Sequence, residues 1–157
     1  MKKKSLYFFI FFSLFFTSSE KTNADLLKPS TKYKPYDVVE IQLKALKNNN
    51  KPYENAGIEQ TWEFAQPSNK QTTGPLSKFI QLLNANSYNI LLDHIDHKIV
   101  EIFNSDEKFI YEVTILDKEK NFFKYQWQVE KFINKGPLED CWMTTSVSSP
   151  LSIGSSI

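Results

Sequence analysis

Phe123-Lys124-Tyr125-Gln126-Trp127-Gln128-Val129-Glu130 alternates apolar and polar side chains without a break. Successive side chains of a β-strand point to opposite faces. The stretch therefore predicts a strand with Phe123, Tyr125, Trp127 and Val129 buried and Lys124, Gln126, Gln128 and Glu130 in water. Working outward, the same period of two runs through about 94–103, 108–116, 122–133 and 140–148. The separators Asn104-Ser105-Asp106, Asp117 to Asn121 and Asn134-Lys135-Gly136-Pro137 are short, which calls for antiparallel hairpins. The odd positions carry the apolar face: Ile95, Ile99, Phe103, Phe109, Tyr111, Val113, Ile115, Cys141, Met143 and Val147 join those of the third strand.

Upstream of residue 94 the period is helical. Val38, Ile41, Ala45 and Val39, Leu43, Leu46 recur at helical spacing, with Asp37 as N-cap and Glu40 positioned for a capping box. This helix should stop in Asn48-Asn49-Asn50. Ile58, Trp62 and Ala65 mark a second helix, ended by Pro67, and Leu76, Phe79, Ile80, Leu82 and Leu83 mark a third behind Gly74-Pro75. Gln66 to Gly74 carries no apolar side chain and reads as a surface or cleft loop. The expected architecture is α+β: three N-terminal helices packed on a curved four-stranded antiparallel sheet, one domain over 36–148. Residues 25–35 read as an extended leader and 149–157 as a flexible tail.

The first 24 residues read as an address. Lys2, Lys3 and Lys4 precede an apolar run, Leu6 to Phe16, interrupted only by Ser13, and a polar stretch then ends in Ala24. That is the layout of a secretory signal peptide, too short for a spanning helix, which needs about 20 residues. The alternative is an uncleaved N-terminal membrane anchor. Removing the segment takes away four of the 19 lysines and one of the 18 acidic residues, so the net charge goes from +1 to −2. No integral span is then expected.

All 19 basic residues are lysine. The absence of arginine and of a basic patch argues against a nucleic-acid partner. Cys141 is the single cysteine, so neither an intrachain disulfide nor a cysteine-based zinc site can form. Only four glycines are present, with no phosphate-binding loop and no nucleophile elbow. No cofactor is expected. Asp93-His94-x-Asp96-His97 invites a metal reading, but on a regular strand the two imidazoles fall on opposite faces and cannot converge unless residues 93–97 form a turn, so no metal is expected.

Two ionisable residues share the apolar face of the first strand: His97 and Glu101, roughly 13 Å apart in a regular strand. One reading makes them polar contacts or a base in a cavity walled by Trp62, Tyr111, Tyr125, Trp127 and Met143. The other has a bulge shifting their register, or the strand end open to water. Gln42, a turn from Val38 and Leu46, is either a satisfied core amide or a ligand contact. Asn69, Lys70 and Thr73 are the loop residues able to touch a ligand.

Several pieces together resemble a known family. They are Tyr36-x-Val38-Val39-x-x-Gln42-Leu43-x-Ala45-Leu46, Gly57-Ile58-Glu59, Phe64-Ala65-x-Pro67-x-Asn69-Lys70-x-x-Thr73-Gly74-Pro75-x-x-x-Phe79 and Cys141-Trp142-Met143. The likeness is to an uncharacterised domain-of-unknown-function family of cyanobacteria, algae, plants and some proteobacteria, and covers about residues 36–148. That family resembles the cystatin-like, nuclear-transport-factor-two-like roll, which also hosts ketosteroid isomerases and polyketide cyclases. The resemblance implies a cavity between helices and sheet, and brings no catalytic residues to carry over. The resulting expectation is an exported, non-catalytic binding or accessory protein, in the periplasm or thylakoid lumen if the source is cyanobacterial. Its partner would be a small apolar or aromatic ligand or another protein, with a homodimer through the sheet as a further option. The alternative is a small lyase or isomerase using His97 and Glu101.

Overall fold

The computed structural model describes residues 25–85 and 87–155. The signal-peptide reading of residues 1–24 lies outside them. Among the described residues no helix is long and apolar enough to cross a membrane.

Helix α1, Pro35–Lys47, buries Val38, Val39, Gln42, Leu43 and Leu46 as one stripe. It begins two residues before the expected cap. Pro35 suits the first turn because its missing N–H has no helical partner to lose, and Asp37 instead accepts the Lys34 N–H at 2.8 Å. Helix α2, Ala56–Glu63, packs against α1 through Gly57. A Cβ at Gly57 would collide with the Ala45 carbonyl, so the glycine sets how closely the two helices approach. Buried Asn49 fixes the corner between them: its Oδ1 accepts the Ile58 N–H at 3.0 Å and its carbonyl accepts the Gly57 N–H at 2.9 Å.

Among the described residues there are four α-helices, not three. The polar stretch expected as a loop forms α3, Pro67–Thr73. Pro67 opens this helix, whereas α2 has already ended at Glu63. Gly74, at φ 82°, stops α3 in a conformation that a side chain would strain. Helix α4, Leu76–Leu83, then buries Phe79 and Leu83, and a 3₁₀ turn, Asn89–Leu91, leads to the sheet.

The strands are β1 Asp96–Asn104, β2 Lys108–Leu116, β3 Asn121–Lys131, β4 Trp142–Val147 and β5 Leu151–Ser155. They form an antiparallel meander in the order β1-β2-β3-β4, with β5 also pairing β3. Thus β4 covers one half of the β3 edge and β5 the other. Between them Ser148 keeps the ladder closed: its Oγ accepts the Gln126 N–H and its own N–H reaches the Gln126 carbonyl, both at 2.9 Å. Pro150 follows and has no N–H to give. The segment expected as a tail is therefore largely strand.

On β2 and β3 the alternation holds: Tyr111, Val113, Ile115, Tyr125, Trp127 and Val129 are buried against the helices. The fully buried aliphatics among them contribute about 1.5–3 kcal/mol each. On β4 it fails. The register shifts opposite Gln128 and Val129, so Val147 still pairs with Trp127 but Thr144 pairs with Val129. Thr144 and Trp142, not Met143, therefore share the inner face, and Trp142 meets Phe109 edge-on at 5.2 Å. Cys141 and Met143 are buried nonetheless.

Candidate functional site: a pocket floored by Gln42

Four elements converge on Gln42. From α1 its Oε1 accepts the Trp127 indole N–H of β3 at 3.0 Å and the Thr144 hydroxyl of β4 at 2.6 Å. Its amide nitrogen donates to the Thr61 carbonyl of α2 at 2.9 Å. An indole can only donate, which fixes the orientation of the Gln42 amide. Thr144 is held in turn by the chain leaving α2: its N–H donates to the Phe64 carbonyl at 2.9 Å, and its carbonyl accepts the Gln66 N–H at 2.8 Å. Residues 64–66 thereby cover the outer edge of β4.

Above this network lies a half-open pocket of about 270 Å³. Leu46, Phe79, Leu83 and Leu91 supply apolar wall. Asn69, Thr72 and Thr73 of α3 stand on one side, and Thr145, Ser146 and Val147 of β4 on the other. Asn69 is tied to the Thr144 carbonyl at 3.3 Å, and Thr73 donates to the Asn69 carbonyl at 3.0 Å. Among the described residues no carboxylate, imidazole, amine or thiol lines the space. It favours a neutral, mainly apolar occupant, because a charge leaving water here would have no counter-ion.

Of the residues singled out from the sequence, Gln42, Trp127, Asn69 and Thr73 line this pocket, and Trp62, Tyr111, Tyr125, Met143 and Lys70 do not. Tyr125 is buried beside it with its hydroxyl on the Ser87 carbonyl at 3.3 Å. Tyr111 packs between Phe109 and Tyr36, and burial raises its phenol pKa. The Lys70 ammonium sits 4.0 Å over the Trp62 ring, and burial lowers its pKa. The wall residues Phe79, Leu82 and Leu83 were visible as the apolar face of a helix. Thr144 was not, because the bulge in β4 reverses the parity on which the expected inner face rested, and Thr145 and Ser146 lie at the bulge itself.

His97 and Glu101 lie on β1, away from the pocket. Glu101 is exposed and accepts a hydrogen bond from the Asn104 amide at 2.6 Å. His97 is partnered by His94, contrary to the opposite faces expected for these two rings. Asp93, at φ 52°, turns the chain and β1 starts only at Asp96, so His94 precedes the regular strand. Its Nδ1 meets the Leu91 carbonyl and its Nε2 meets His97 Nδ1, both at 2.7 Å. A carbonyl only accepts, so Nδ1–H of His94 donates to it, and His97 Nδ1–H donates to His94 Nε2. Burial, foremost, pushes the His94 pKa down to about 4 and lowers that of His97 too. Among the described residues no three His, Cys, Asp or Glu side chains are grouped to hold a metal.

Compared with family models, curated proteins and solved structures, the chain gives no significant match.

Proposed function

We propose that this is an exported, non-catalytic binding or accessory protein whose pocket takes a small neutral molecule of one or two rings. The observation that carries the reading is the lining: apolar walls, a floor of saturated amide and hydroxyl groups and, among the described residues, no charged side chain. A volume near 270 Å³ suits such a ligand, since an apolar cavity of about 150 Å³ already accepts benzene. We further propose the cystatin-like, nuclear-transport-factor-two-like roll, in the resembling family, as the finer description of the helices on the sheet. Export rests on residues 1–24, and placement in a periplasm or lumen follows from it. A lyase or isomerase using His97 and Glu101 has less support, because neither side chain reaches the pocket where a substrate would be enclosed.

Calorimetric titration with 1-naphthol and with 1-naphthoate tests the reading. The neutral alcohol is expected to bind one-to-one and the carboxylate at least about tenfold more weakly, a difference of 1.4 kcal/mol or more. Leu82→Arg, at the pocket wall, should abolish naphthol binding. Equal affinity for the two compounds, or no saturable binding of either, rejects the proposal.

A further inference from the structure

We infer that the His94–His97 pair is an acid-sensitive latch on the pocket wall, holding Leu91 in place while neutral and releasing it on double protonation. The inference rests on the binding reading above. His94 is 2 % exposed, and both of its ring nitrogens are engaged. One bond holds the backbone of Leu91, whose side chain is buried and lines the pocket. The adjoining Asp93 N–H holds the carbonyl of Leu46, a second wall residue, at 2.8 Å. The imidazole pair therefore bonds one pocket-wall residue directly and adjoins the bond that holds a second.

A single added proton can be shared by the pair, since either ring can donate to the other. A second cannot. Two N–H groups would face each other across the 2.7 Å gap, and among the described residues neither ring has a carboxylate as hydrogen-bond partner. The ring must then reach water, and the Leu91 carbonyl loses its donor.

The charged surroundings are mixed. Lys47 and Lys44 of α1 oppose protonation of His97, while Asp96 on β1 and Glu40 on α1 favour it. Asp96 is itself paired with Lys47 at 3.7 Å, and Asp93 with Lys118 at 3.2 Å. Burial outweighs all of them for both rings. The closed form thus binds fewer protons than a released one between the ordinary histidine value of 6.5 and about 4. Acid therefore favours release within that window, by up to roughly tenfold per pH unit, and adds little below it.

NMR titration of the histidine rings and backbone, with 1-naphthol affinity measured at pH 7.5 and 4.5, decides the matter. The Leu91 and Leu92 amides should shift with the same midpoint as the His94 ring, and naphthol affinity should fall about fivefold or more. His97→Ala, which frees His94 Nε2 and leaves the pocket lining intact, should move that midpoint to higher pH. His94→Gln should remove the pH dependence, and if it fails to fold, His97→Ala still decides. Rings titrating independently near 6.5 with the Leu91 amide unmoved would overturn the latch. Naphthol binding equal at both pH values would overturn the latch alone. No binding at pH 7.5 would overturn the pocket reading and the latch with it.

Discussion

The two sides of the sheet obey the same alternating sequence rule and end in opposite conditions. On the β3–β4 side the inner face is capped by α1 and α4, and the outer edge of β4 is bonded to residues 64–66. On the β1 side, around a bulge between Glu101 and Phe103, Val100, Ile102 and Phe103 stand exposed on an edge strand. The first region traps a pocket without charge; the second carries the ionisable residues that looked chemical. Alternation assigns a face to a side chain, but the elements covering that face decide whether it is buried. Enclosure here depends on where the helices lie, which strand periodicity does not record.

The largest break in this comparison should come from Gln42→Leu. The leucine keeps most of the volume but leaves the Trp127 indole N–H and the Thr144 hydroxyl without their buried acceptor, and the Thr61 carbonyl without its donor. At about 1–3 kcal/mol for each unsatisfied group, relieved in part by the remaining Trp127–Thr144 contact, roughly 4 kcal/mol of stability is expected to go. Urea denaturation reads this directly. A loss under 1 kcal/mol would mean that the pocket floor is not held by this network.

Gly57→Ala comes next, at about 2–3 kcal/mol, because the added methyl meets the α1 backbone at Ala45 rather than a side chain able to turn away. The same denaturation experiment applies, and naphthol affinity should fall with it as α2 moves off α1. An alanine variant of unchanged stability would show that the two helices have room to separate and that the pocket does not depend on their close approach.

How much of this was legible follows from the same contrast. Tyr125, Trp127 and Val129 announced the core strand because nothing interrupts their alternation and helices cover their whole face. Helix α3 was illegible by periodicity: it buries no residue, so there is no apolar stripe to find. Its boundaries were nonetheless written in Pro67 and Gly74. Gln42 was recognised as a buried amide, and its neighbours from α1 were apparent, but Thr144 was assigned away from it by the unannounced bulge in β4. The contact between His94 and His97 was hidden because Asp93 adopts a left-handed turn that a strand pattern does not signal.

The smallest effect is expected at the residue that looked most chemical. Glu101 is exposed on an edge strand, its carboxylate bonded only to the nearby Asn104 amide among the described contacts, and it does not border the pocket. Glu101→Ala should therefore change stability by no more than about 0.5 kcal/mol, as surface substitutions usually do. Naphthol affinity should stay at the wild-type value, in contrast to the loss with Leu82→Arg. With circular dichroism to check that both variants keep the fold, the pair separates a pocket function from an edge function. If Glu101→Ala alone weakened binding while Leu82→Arg did not, the functional surface would lie on β1. The half-open, uncharged space beneath α4 would then be packing space only.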